Sequence, residues 1–212
     1  MSVRKVITRS SNHIRISFPS VKNGGPVQCE SQLESGFVRL LELSPIVRSY
    51  LVQPSLELVS ISGSTKKYYP DVRVYLMDGR EWWFEVKYQK SLLISSVKQK
   101  MEAVKQHFFA TDRNFSIVTD LLIHSQPLSK NLQKLMYHRR GPMLTALRMK
   151  EIHQRLQMQK PETLSELIAI FGKADAWLFL GLGIVGVDLE IPISDVSKIF
   201  INGGHRHADI FA

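Results

Sequence analysis

The 212-residue chain contains one cysteine, Cys29. A single thiol leaves no internal disulfide framework and no cysteine-based zinc cluster, and it suits a reducing compartment. Cys29 itself reads as buried filler rather than a nucleophile. Long apolar runs are also missing. The longest, residues 176–187, is too short to cross a bilayer and carries three glycines. The amino terminus MSVRKVITRSSNHIR is basic but has no apolar segment of the secretory kind. These absences point to a cytoplasmic protein with no membrane partner. Acidic residues are scarce, 19 against 28 Lys and Arg, for a formal charge of +9 and a pI near 9.7. That excess favours a polyanionic partner, because each neutralised phosphate releases counterions. The 44% hydrophobic content is ample for one large domain or two small ones.

The stretch Tyr69 to Lys87, YPDVRVYLMDGREWWFEVK, organises the chain. Alternating apolar positions flank Met77-Asp78-Gly79, a hairpin signal. A two-residue loop at Asp78-Gly79 would place Asp71 and Glu85 on opposite faces. A three-residue loop, with Gly79 left-handed in a bulged type I turn, pairs Leu76 with Arg80 and Asp71 with Glu85. The second register is preferred, because it gathers Val72, Val74, Leu76, Trp82, Phe84 and Val86 on one face as core. The opposite face then holds Asp71, Glu85 and Lys87. Facing carboxylates repel one another, and a divalent cation such as Mg²⁺ would compensate them. An ammonium two residues along the strand can steady an attacking water and the charge building on a phosphate.

Residues 1–27 mix basic, hydroxyl and turn-forming types and read as an arm or loop, with Arg4, Lys5, Arg9, Arg15 and Lys22 available to a DNA backbone. A helix is expected from about residue 30 to 43, on the spacing of Leu33, Phe37, Leu40 and Leu41, and it ends at Ser44-Pro45. Glu30 and Glu34 lie one turn apart beside its apolar stripe; Glu34 sits nearer the middle. Strands are expected over residues 47–51 and 56–61, then a basic loop over 62–67. Val97, Met101, Val104 and Phe108 mark an amphipathic helix over 90–109, and 115–119 a strand ending at Asp120. Together these make an α/β domain over residues 28–125. Residues 126–212 turn helical. Helices are expected over 129–140, from Pro142 to about 157, over 161–172 and over 173–180, followed by a β segment at 185–191. Two short helices with a tight turn and a β segment suggest a winged-helix module. Trp177, Leu178, Phe179 and Leu180 read as core or a protein-binding face, and His205 and His207 as solvated tail residues.

Pro70-Asp71 with Glu85-Val86-Lys87 resembles the PD-(D/E)xK nuclease motif. The order of parts also resembles the TnsA endonuclease subunit of heteromeric bacterial transposons. The matching segments are Glu30-Ser31-Gln32-Leu33-Glu34, Pro45 to Gln53-Pro54, Tyr69-Pro70-Asp71, Glu85-Val86-Lys87, Val118-Thr119-Asp120 and the Leu-rich carboxyl-terminal part. The resemblance implies a restriction-endonuclease-like mixed sheet flanked by helices, followed by a mainly helical winged-helix-like domain. It also implies a metal-dependent DNA endonuclease that cuts the 5′ transposon ends. A separate transposase subunit would cut the 3′ ends, and an ATPase regulator would bind the carboxyl-terminal domain. Carried over by motif, Glu34, Asp71 and Glu85 are the metal-binding acids, Lys87 is the catalytic lysine, and Gln53 lies nearby. Mg²⁺ is the expected cofactor, with Mn²⁺ as a substitute. The alternatives are another nuclease of the superfamily, of resolvase or restriction type, and a non-catalytic DNA/protein adaptor.

Overall fold

The computed structural model describes residues 15–141 and 144–211. Arg4, Lys5 and Arg9 of the expected arm, and Pro142, lie outside them. The chain divides into two units. The first comprises residues up to Glu42, Ile46–Ser125 and Phe211; the second comprises Leu43–Pro45 and Gln126–Ile210.

The first unit begins with a short antiparallel hairpin, β1 (Ile16–Phe18) and β2 (Val27–Cys29), where the sequence suggests only an arm or loop. The Asn23-Gly24-Gly25-Pro26 stretch that looks like loop is its turn, with Gly24 and Gly25 amides bonded back to Val21 and Ser20. Lys22 is drawn in as well, and its Nζ donates to the Val47 carbonyl at 2.5 Å. Helix α1 (Gln32–Leu43) follows, with Leu33, Phe37, Val38, Leu40 and Leu41 all buried.

Strand β3 (Val47–Val52) leads to β4 (Glu57–Ile61) and β5 (Ser64–Tyr68), which pair as a tight hairpin. Its two-residue turn, Ser62-Gly63, has φ of 52° and 76°, the left-handed pair that matches the twist of the flanking strands. The expected basic loop at 62–67 is therefore mostly strand, with Lys66 and Lys67 exposed along it. Strands β6 (Val72–Leu76) and β7 (Glu81–Lys87) form the central hairpin, and Val72 pairs with Phe84 and Val74 with Trp82. The Leu76 amide donates to the Arg80 carbonyl at 2.9 Å, and Gly79 has φ 90°. This is the three-residue loop, made possible by a residue with no Cβ.

A 3-10 turn at Gln89–Leu93 precedes α2 (Ser95–Ala110), so the helix starts later than its periodicity implies. It crosses over to β8 (Asn114–Thr119), which lies parallel to β7. Parallel neighbours need such a crossover. The result is a mixed four-stranded sheet in the order β3-β6-β7-β8, followed by the short α3 (Asp120–Ile123).

Both faces of this sheet are covered. On one, Phe37 of α1 packs on Phe84 with ring centroids 5.0 Å apart, and Phe211 meets the same ring edge-on at 5.7 Å. On the other, Trp83 joins Val59, Ile61, Tyr68, Met101, Val104 and Phe108 in a second core under α2 and the β4–β5 hairpin. The face expected to be polar is thus polar mainly around Asp71, Glu85 and Lys87.

The second unit contains α4 (Leu128–His138), α5 (Ala146–Gln159), α6 (Leu164–Phe171) and α7 (Lys173–Gly181). Thr145 caps α5 through the Arg148 amide at 3.2 Å, so the helix begins past Pro142. The expected β segment is confined to β9 (Gly186–Val187), paired with β10 (Ile199–Phe200). Trp177, Leu178, Phe179 and Leu180 are all buried, which makes them core rather than a binding face. His205 is also buried, against expectation: Val187 N–H donates to its Nδ1 at 3.2 Å, and its Nε2 lies 2.9 Å from the Leu180 carbonyl. That pattern requires the neutral ring with its proton on Nε2, and burial pushes its pKa down to about 4.

Candidate active site

Asp71 stands one residue ahead of β6. Its amide donates to the Phe84 carbonyl (3.0 Å), its own carbonyl accepts from the Gln53 amide (2.8 Å), and its Oδ2 accepts from the Val86 amide (2.7 Å). Since Val72 pairs with Phe84, the next step of the ladder sets Asp71 opposite Glu85. Side chains alternate along a strand, so Glu85 and Lys87 share one face while Phe84 and Val86 enter the core beneath. Glu85 is only 2% exposed. Its Oε1 lies 2.6 Å from Lys87 Nζ, and its Oε2 accepts from the Tyr68 hydroxyl at 2.5 Å. The Lys87 side chain is one-third exposed (33%), which leaves this end of the cluster open to solvent.

The electrostatics follow from packing acids together. Asp71 is held well above the usual carboxylate range, first by burial of its carboxyl and then by the charge of Glu85, with Lys87 and the Val86 amide pulling it back. Burial works against the charge of Lys87, but Glu85 and Asp71 outweigh it, so its pKa is raised and it remains an ammonium. Tyr68 is pushed up by burial and by Glu85. Its hydroxyl keeps its proton and acts as a donor. One lysine faces two adjacent carboxylates, and Glu34 adds further negative charge felt at Asp71 and Lys87.

Asp71, Glu85 and Lys87 come together; the Glu34 carboxylate is hydrogen-bonded at the start of its own helix, within electrostatic reach of Asp71 and Lys87. Its Oε2 accepts from the Glu30 amide at 2.8 Å and its Oε1 from the Ser31 hydroxyl at 2.9 Å, while the Glu34 amide bonds to Ser31 Oγ at 3.1 Å. That is the reciprocal arrangement of a helix N-terminal cap. It is raised by burial, only partly offset by these hydrogen bonds. α1 packs on the Phe84 face of the sheet, whereas Glu85, one residue on, points the other way. Among the described residues no group of three or more His, Cys, Asp or Glu side chains could hold a metal ion. Asp71 and Glu85 form the acidic pair, and the charge of Glu34 is felt at Asp71.

Three residues outside the motif stand beside it. Tyr68 was unmarked by any periodicity, although it stands two residues before the Pro-Asp pair. Lys100 of α2 sits over the Tyr68 ring, 5.3 Å from its centroid. Gln53 has left-handed φ of 48°, unusual for a residue with a side chain, and its Oε1 is buried with no hydrogen-bond partner.

The donor chemistry fits a hard divalent cation. Mg²⁺ is commonly held by one or two carboxylates, with water and phosphate completing the octahedron. Asp71 and Glu85 supply that pair. No protein-family model matches this chain, and no curated protein matches it.

Proposed function

We propose that the chain is a Mg²⁺-dependent DNA endonuclease of the TnsA kind, cleaving the 5′ transposon ends in partnership with a separate transposase subunit and an ATPase regulator. The observation that carries this reading is the meeting of Asp71, Glu85 and Lys87 on one strand face, with Asp71 and Glu85 held close enough to raise the Asp71 pKa. Mg²⁺, or Mn²⁺ in its place, would be held by Asp71 and Glu85, and when bound it acidifies a water and neutralises charge on the phosphate. Lys87 contributes an ammonium that orients the attacking water and offsets negative charge in the transition state. Glu34 acts at longer range, adding negative potential and keeping α1 capped.

Substrate approach is supported by unpaired cations on neighbouring elements. Lys66 and Lys67 on β5 and Lys98 on α2 are exposed, and Lys98 lines a groove of about 650 Å³ together with Ser60, Ser62, Gln99, Glu102 and Gln106. Backbone contacts of this kind give affinity without reading sequence, so the choice of ends falls to the partner subunits. The four helices and short β9–β10 pair of the second unit are the proposed winged-helix-like platform for the regulator.

Reconstitution with the neighbouring subunits tests the reading. Lys87→Ala is expected to abolish 5′ strand cleavage while leaving 3′ cleavage intact under conditions where the variant is folded, and unchanged 5′ cleavage refutes it. One observation favours a second reading, the non-catalytic adaptor: Lys87 and Glu85 already satisfy each other. The adaptor predicts DNA binding with no Mg²⁺-dependent nicking of any substrate.

A further inference from the structure

The Glu85 carboxylate has two oxygens with different duties. Oε2 is taken by the Tyr68 hydroxyl at 2.5 Å. Oε1 is taken by the Lys87 ammonium at 2.6 Å. Tyr68 is fixed in the core formed by Val59, Trp83, Met101 and Phe108. Lys87 is a flexible side chain with an exposed route away from the acid. The first partner is therefore permanent and the second replaceable.

We propose that Tyr68 is the positioning residue of this site: by clamping Oε2 it leaves Glu85 a single oxygen for a divalent cation, and that cation must displace Lys87 to reach it. The inference rests on the metal-site reading above. It has two consequences. With Oε2 held by the Tyr68 hydroxyl, coordination of an ion through Oε1 alone would be favoured, which suits the octahedral preference of Mg²⁺ and Mn²⁺ and works against Ca²⁺, which readily takes carboxylates through both oxygens. In addition, loading the ion releases Lys87 from Glu85, so the ammonium becomes free to face the nucleophile only once the ion is in place.

Isothermal titration of the full chain without DNA, using MnCl₂ and CaCl₂ separately, tests both. Lys87→Met removes the competing cation and is expected to tighten Mn²⁺ binding by about tenfold. Tyr68→Phe keeps the ring in its core and releases Oε2; the affinity for Ca²⁺ relative to Mn²⁺ is expected to rise by about threefold or more. A purely structural role for the hydroxyl would lower the melting temperature and leave that ratio unchanged. A ratio within about twofold of native in Tyr68→Phe, or Mn²⁺ binding no tighter in Lys87→Met, overturns the inference and leaves the metal site standing. Absence of Mn²⁺ uptake in both native protein and Lys87→Met, or uptake that survives Asp71→Ala, removes the metal site itself and the inference with it.

Discussion

Replacing Asp71 with asparagine is expected to stabilise the metal-free protein while abolishing its chemistry. Asparagine keeps an oxygen that can accept from the Val86 amide, as Asp71 Oδ2 does at 2.7 Å, so the local backbone is not disturbed. What changes is charge. Directly opposed residues in a sheet have Cβ atoms about 5 Å apart, and two like charges at that separation repel by roughly 3 kcal/mol at an effective dielectric constant near 20. Lys87 offsets much of this at Asp71. The burial of the carboxyl and the charge of Glu34 are left over, and the raised pKa of Asp71 gives the sign of the balance.

A carboxyl whose folded pKa lies above its unfolded one adds stability only at acid pH, and that contribution is lost as pH rises through the folded value. The native protein should therefore carry a penalty near pH 8 that Asp71→Asn lacks. A gain of about 1 kcal/mol corresponds to roughly 2–4 °C in Tm for a chain of this size. The assay is thermal and urea unfolding of both proteins in chelator from pH 4 to 8. The gap should open as pH rises and close near the unfolded carboxylate range. Adding about 10 mM Mg²⁺ to a site with a millimolar Kd should restore about 1.4 kcal/mol to the native protein alone. A variant less stable than native at pH 8, or a gap independent of pH, would show that the Asp71–Glu85 pair is not the strained element it is taken to be.

Gly36→Ala should destabilise the first unit by about 1–3 kcal/mol, although alanine favours a helix by about 1 kcal/mol: a Cβ there would stand 2.5 Å from Cγ2 of Ile123, a β-branched side chain with little freedom to move. Urea unfolding followed by Trp fluorescence measures it, and a neutral or stabilising result refutes the close approach. The second unit should lose stability in acid. His205 titrates near 4 when folded and near 6.5 when unfolded, so its contribution is whole above 6.5 and disappears as pH falls toward 4, about 3 kcal/mol in all. His205→Asn should flatten that part of the pH profile, and an unaltered profile would assign the acid sensitivity elsewhere.

The hairpin register was legible because two independent signals agreed, the alternation of apolar residues and a glycine placed for a bulged turn. Other segments misled for identifiable reasons. Ser64 to Lys67 has exposed polar side chains throughout, so nothing in its hydropathy marks a strand; the turn at Ser62-Gly63 creates it. The start of α2 was hidden because Gln89 to Leu93 forms a 3-10 turn whose composition passes for helix. Glu34 shows a deeper ambiguity. Ser31-Gln32-Leu33-Glu34 is both an acid on a helix face near the hairpin and a Ser-x-x-Glu capping pattern, and only the packing of α1 on the Phe84 side decides that capping comes first. Tyr68 could not be read at all as a partner of Glu85, since a contact between residues 17 positions apart leaves no trace in local pattern.

Phe211 belongs with the first unit, where its ring meets Phe84 and Trp82, although the chain traverses the second unit before reaching it. Any attempt to prepare the sheet-bearing half as a fragment cut after Ser125 would thus strip an aromatic plug from its own interior and uncover part of two large rings. Such a fragment is expected to be sticky and poorly folded, and an honest dissection would graft the terminal phenylalanine back, by circular permutation or as a free peptide, before judging what that half can do alone.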